Sequence, residues 1–275
     1  MAVNLAKKYQ KAIDQVYTLG SLTKSGFAGK FDFIGVQTAV IYTLTSQALG
    51  DYTRTGSDRY GTPSELQDTI QEMTISKDRS FSITVDKGNY IQGNLVKTTG
   101  AVIKIQMEEQ FLPEHDTYNL TVLAAAAASA GHTNTVAVTA DNAYSLFLDG
   151  QVALDDDKVP RKGRVAYVSP TYYKFIKLDN SFIQASDLAM KTLINGQVGE
   201  VDGVKLVLVP TSYLPASTSF IMTQPKGNVA PMQLEEIKTH DCPPGISGAL
   251  IEGRFIYDAF VMAQKEVGCY QHLIA

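Results

Sequence analysis

The chain contains no tryptophan and only two cysteines, Cys242 and Cys269, among its 275 residues. Two cysteines supply neither a disulfide framework nor a metal-ligand set, and they fit a reducing compartment, although a single bridge stays open. A continuous apolar segment is absent from MAVNLAKKYQKAIDQ at the N-terminus, which does not read as a signal peptide. No run of 18 apolar residues occurs anywhere, so no membrane-spanning segment is expected. A positive surplus is missing too. The net charge of -4 disfavours tight general binding to nucleic-acid phosphate. Between Lys104 and Lys158 there is no Lys or Arg, while Glu108, Glu109, Glu114, Asp116, Asp141, Asp149 and Asp155 to Asp157 accumulate. Such a run reads first as a solvated acidic face.

Motifs of chemistry are equally scarce. HEXXH, GXSXG, the phosphate loop and GXGXXG are all absent. The four histidines are His115, His132, His240 and His272. Glu114-His115-Asp116 and His240-Asp241 alone look like clusters, and adjacent helical residues point in different directions, so the triplet cannot close on one ion. All four histidines are expected to be structural. Cys242, beside Pro243-Pro244, is expected to be a small buried residue. No catalytic, cofactor-binding or metal-binding residue is expected. A hydrolase built on His240, Asp241 and the acidic run is the remaining enzymatic alternative.

What is present is a sequence of parts. Residues 1 to about 35 form a polar, Gly-punctuated arm with a short helix expected over Leu5 to Val16. Gly35 to Leu44 is β-branched and reads as a strand. Between Gly50 and Tyr90 lies an insertion with 12 charged residues, including Arg54, Asp58, Arg59, Glu65 and Asp68. Its second half alternates with period two, Ile70, Glu72 and Thr74 against Met73 and Ile75, then Phe81, Ile83 and Val85, as half-covered strands do. A long polar ribbon is unstable alone, and this points to contact with another subunit.

The stretch from about Gln92 to Leu112 repeats Val96, Ile103, Met107 and Phe111 on one helical stripe, with Lys104 and Glu108 paired opposite. Pro113 interrupts the pattern and suits the first turn of a second helix, which runs through the alanines to Gly131. Thr139 is read as the cap of a helix reaching Leu154, and Gly163 to Val168 as a buried strand. Ser169-Pro170 should cap and open another helix, TYYKFIKL. Asp202-Gly203 between apolar runs signals a hairpin, and a strand is expected near Ser219 to Met222. From Ala249 to Met262, Arg254, Ile256, Asp258 and Phe260 alternate with Phe255, Tyr257, Ala259 and Val261. The class is α+β with one dominant helix.

Taken in order, five segments resemble the tailed-phage major capsid proteins of the Hong Kong 97-type coat fold. They are KDRSFSITVDKGNY, the long helix into FLPEHDTYNLTVLA, GRVAYVSPTYYKFIK, VGEVDGVKLVLVPTSYLP and GRFIYDAFVMAQKEVGCY. The resemblance implies an N-terminal arm over 1–35, an extended E-loop hairpin over 36–90 and a P-domain spine helix over 91–135. It further implies an A-domain over 136–240 and strands returning to the P-domain over 241–275. A major coat protein of this family forms pentamers and hexamers that close into an icosahedral shell around packaged double-stranded DNA, without sequence-specific binding. Portal, scaffolding and decoration proteins are the implied partners, with assembly in the host bacterial cytoplasm and residence in the virion. No long segment precedes the arm, so scaffolding is expected from a separate protein or before maturation. Arg54, Asp58, Arg59, Glu65 and Asp68 would make the intersubunit contact of the E-loop. An encapsulin-like nanocompartment shell is the alternative within the fold.

Overall fold

In the computed structural model, residues 19–29, 38–44, 46, 48–57, 59–62, 65, 68–88, 99–179 and 199–274 are described. The helix expected over Leu5 to Val16, the start of the strand at Gly35 and the helical residues before Thr99 lie outside them. The centre is a six-stranded mixed sheet ordered β4-β13-β8-β5-β7-β6. Its strands are β4 (Thr133–Asn134), β5 (Val165–Val168), β6 (Glu200–Val201), β7 (Val204–Leu208), β8 (Thr218–Thr223) and β13 (Cys269–Leu273). β5 is buried along its whole length, as its apolar run predicts. The alternation is visible in which core each residue joins. Ala166 and Val168 face Phe147, Leu154, Tyr172 and Ile176 of two helices. Val165 and Tyr167 face Leu120, Leu123 and Ala127 of a third. Helices on both faces explain why the strand carries no polar side.

Local chemistry sets the boundaries. Ser169 Oγ accepts a bond from the Tyr172 amide and Pro170 opens the helix that follows, Pro170–Leu178. Asp202 and Gly203 both have positive φ (49° and 79°) and join β6 to β7 in a two-residue turn of type I′. The helix Ala143–Asp156 starts later than expected. Asn142 rather than Thr139 holds its entry, accepting from the Thr139 amide at 2.7 Å while Leu146 donates to its carbonyl.

The dominant helix is continuous across its proline. Thr99–Gln106 (α1) passes through a π-turn at Met107–Phe111 into Leu112–Ser129 (α2). The Leu112 amide donates to the Met107 carbonyl, a step one residue longer than the α pattern. That extra residue absorbs the lost amide of Pro113, so the interruption becomes a local widening and not a break. It also turns Phe111 onto Phe255, with ring centroids 4.2 Å apart. Lys104 and Glu108 pair at 3.8 Å as the spacing predicts. α2 ends in a Schellman arrangement, with Gly131 at φ 74° and the His132 amide on the Ala127 carbonyl. Residues 19–29 are fixed against α2. Asp116 accepts from Ser21 Oγ, the Leu22 amide and Thr23 Oγ1 at 3.1, 2.7 and 2.6 Å.

Three smaller sheets complete the fold, the shortest being β9 (Asn228–Val229) paired with β12 (Phe260–Val261). β3 (Lys77–Asp86) pairs with β11 (Gly248–Tyr257), which pairs with β10 (Met232–Asp241). β1 (Thr38–Leu44) pairs with β2 (Asp68–Thr74). Lys77 to Asp86 alternates as expected, yet it takes its partner from the far end of the chain and not from β2. The alternation expected through Met262 stops at Tyr257. Asp258, which shares the set of Arg254 and Ile256 in the alternation, is only 2% exposed.

Candidate functional site

The β1–β2 ribbon is the site that stands apart from the body. Its antiparallel register places Thr38, Val40 and Tyr42 with Asp68, Ile70, Glu72 and Thr74 on one face. The other face carries Ala39, Ile41, Gln71 and Met73, and rests on the chain itself. Met73 and Ile75 are buried against Val229, Ile256, Phe260 and Met262. Gln71 clamps the same side, donating to the Val261 carbonyl at 3.3 Å and accepting from the Ala263 amide at 3.0 Å. The first face is bare. Val40 is 45%, Ile70 55% and Tyr42 66% exposed.

Beyond the strands, described residues of the connecting loop meet in a tip. Tyr52 and Tyr60 meet edge to face at 5.0 Å, the Thr53 amide donates to the Arg59 carbonyl, and Arg59 Nε donates to the Gly56 carbonyl at 3.1 Å. Tyr60 is 92% exposed and Leu49 fully so. Among the predicted contact residues, Arg54 and Arg59 lie on the tip, Glu65 on the returning arm and Asp68 at the first position of β2 opposite Leu44. All four are exposed, and none is brought against another; Asp58 lies outside the described residues. The exposed apolar residues of ribbon and tip escaped the sequence reading, which weighted charge. The signal was there in Val40, Tyr42 and Ile70, whose spacing fixes one face.

A buried carboxylate anchors the base of the ribbon. Asp258 Oδ2 accepts from the Ser76 amide at 2.7 Å and Ser76 Oγ at 2.9 Å, and Oδ1 accepts from Tyr118 at 2.6 Å and the Ala259 amide at 2.8 Å. Burial, then the Asp258 carboxylate, push the Tyr118 phenol up to about 12. Arg254 makes two bonds to Asp78 across the neighbouring sheet, and Arg79 pairs with Glu114 of α2 at 2.7 Å. Ribbon, helix and late strands therefore share one polar joint.

The remaining candidates resolve as structural parts. Glu114 turns to Arg79 and Tyr257, His115 stacks between Phe111 and Tyr257, and Asp116 turns to residues 21–23. Asp155 binds Arg161 and the fully buried Arg164. Glu114, Asp116 and Asp155 of the acidic run are thus engaged by separate partners, while Asp141, Asp149 and Asp156 are exposed to solvent as the sequence predicts. His240 lies 3.4 Å from Glu252 on the adjacent strand, while Asp241 projects to the opposite face of β10. His132 pairs with Asp157 at 2.8 Å, and His272 stacks on Phe220 with Nε2 2.8 Å from the Val136 carbonyl. Burial pushes the His272 imidazole down. No three His, Cys, Asp or Glu side chains converge as metal ligands among the described residues. Cys242 is exposed, contrary to expectation, because the β10–β11 turn puts it at φ 49° outside the core. Cys269 is buried, and burial pushes its thiol up to about 11. No helix among the described residues is long and apolar enough to cross a membrane.

Comparison with solved structures gives phage shells. A structure from Mycobacterium phage Che8 superposes with a TM-score of 0.73 at 17% identity, over 98% of both chains. The capsid structure of the cyanophage P-SCSP1u gives 0.79 at 10% identity, over 99% of this chain and 93% of that one. The mature capsid of bacteriophage PhiM1 gives 0.72 at 13% identity, over 98% and 92%. No family model and no curated protein matches the sequence. At these identities the likeness establishes the fold: a mixed helix-and-sheet phage capsid fold over almost the whole chain, as the sequence resemblance implies.

Proposed function

We propose that this chain is the major coat subunit of a tailed bacteriophage. Identical copies assemble through pentamers and hexamers into an icosahedral shell around double-stranded DNA. The observation that carries this reading is the ribbon. Residues 38–74 expose an apolar face and an aromatic tip for which the described chain offers no cover, on a fold shared with phage capsids. The inner face already rests on its own chain, so what needs cover is the bare outer apolar face, and a heterologous contact repeated around a ring supplies it.

In this reading residues 1–35 form the N-terminal arm, 36–90 contain the E-loop, and 91–135 the spine of the P-domain. Residues 136–240 form the A-domain, and 241–275 return to the P-domain. Arg54, Asp58, Arg59, Glu65 and Asp68 contribute polar contacts to a neighbour. A portal at one vertex, a scaffolding protein and decoration proteins complete the particle, which assembles in the bacterial cytoplasm. No chemistry on substrate is assigned to the subunit.

Electron microscopy and light scattering of the purified protein test the proposal. Capsomers or shells are the expected product. A monodisperse monomer at high concentration, in the presence of its scaffolding partner, would overturn it.

A further inference from the structure

The outer face of the ribbon has a chemical counterpart on the same chain. That face alternates apolar with acidic side chains: Val40, Tyr42 and Ile70 lie among Asp68 and Glu72, and no Lys or Arg shares it among the described residues. On the body, a half-open cavity of about 250 Å³ lies between the end of the helix Ala143–Asp156 and the short 3-10 segments Pro225–Gly227 and Ala263–Gly268. Val159, Pro160 and Val267 line it together with Lys158, Lys226 and Lys265. All three lysines are exposed. The ion pair seen in this lining joins Asp157 to His132 and leaves the lysines aside.

The ribbon cannot fill its own cavity in this way. Gln71 and Met73 hold the inner face against residues 261–263 and the neighbouring core, on the approach to the turn that walls the cavity. The outer face is therefore turned away from its own body. Reversing it would break both Gln71 bonds and expose Met73. An apolar surface edged with acid on one copy, and one edged with base on the next, form a head-to-tail contact that does not pair with itself. Repetition of such a contact generates rings.

We propose that the Val40–Tyr42–Ile70 face of one copy docks on the lysine-lined cavity of a second copy, with Tyr42 as its anchor and Asp68 and Glu72 meeting Lys226 and Lys265. This rests on the coat-subunit reading and deepens it. The apolar side chains carry the affinity, as centrally buried aromatic anchors do, and the charges fix register and reject misaligned partners.

A charge exchange tests it. D68K/E72K and K226E/K265E should each lower the yield of assembled particles by about tenfold or more, the factor that 1.4 kcal/mol carries. The four substitutions combined in one chain should restore assembly. Tyr42→Ser should abolish particles while circular dichroism of the subunit is unchanged. If unaltered chain forms no particles, the coat-subunit reading fails and takes this inference with it. If it forms particles and the combined variant is no better than either pair, or Tyr42→Ser assembles normally, the docking assignment alone is wrong.

Discussion

Tyr118 donates its phenolic hydrogen to Asp258 at 2.6 Å, across 140 residues of sequence. This bond ties α2 to the corner after β11, and through Ser76 the same carboxylate holds the base of the ribbon. A buried carboxylate with four donors fixes several elements together only while it keeps its oxygens.

Replacing Asp258 by Ala strands the Ser76 amide, the Tyr118 hydroxyl and the Ala259 amide. Ser76 is exposed and Tyr118 half-buried, so water can replace part of their loss, whereas the buried Ala259 amide stays unsatisfied; at about 1–3 kcal/mol for a stranded buried donor, we expect a loss of roughly 2 kcal/mol or more in urea unfolding. Tyr118→Phe removes one donor and should cost about 1 kcal/mol. Equal effects for the two variants would mean that the joint does not depend on the carboxylate.

Asp116 sets an acid limit. Burial works to raise its carboxyl, but the nearby His115 imidazole, 3.9 Å away, and hydrogen bonds from Thr23, the Leu22 amide and Ser21 outweigh it, and the pKa is lowered. A depressed carboxylate contributes stability that is present above the ordinary range of about 4 and is lost as pH falls through the lowered value. Asp116→Asn should therefore lower stability at pH 7 and flatten its dependence below pH of about 4. Chemical denaturation across that window measures this, and an unchanged slope would contradict the assignment.

The two thiols differ in access. Cys242 is exposed and Cys269 buried, with no disulfide between them. One thiol should react promptly with a disulfide reagent in the native protein and the second only in denaturant. Reducing agent alone should leave particles intact.

Pro substituted at Lys104 removes a backbone hydrogen bond within α1 and should cost about 3 kcal/mol or more. Insoluble or unassembled subunit is expected. Normal particles would show that α1 does not act as a rigid strut beside the π-turn.

Short-range chemistry was readable in the sequence. Ser169-Pro170, Asp202-Gly203, Gly131 and the alternation of residues 165–168 each act within a few residues, where one side chain or one φ angle decides the outcome. Long-range pairing was not. Lys77 to Asp86 has the same period whether it pairs with β2 or with β11, so periodicity alone could not choose. The burial of Asp258 could not be read locally, because its donors at Ser76 and Tyr118 lie far off in sequence. Arg54, Arg59, Glu65 and Asp68 are exposed, while the bare faces of Tyr42, Tyr60 and Ile70 emerged only from the register and the tip.

The central claim is that the ribbon works between copies and not within one. The most direct measurement replaces residues 46–66, the tip, by a short Gly/Ser turn and leaves the β1–β2 pairs and Gln71 in place. Little apolar core is removed, so the subunit should keep its circular dichroism and its unfolding midpoint. Electron microscopy should show no shells, and limited proteolysis should cut the intact tip in free subunits but not in assembled ones. Normal shells from the shortened chain, or an unfolded subunit, would contradict the account.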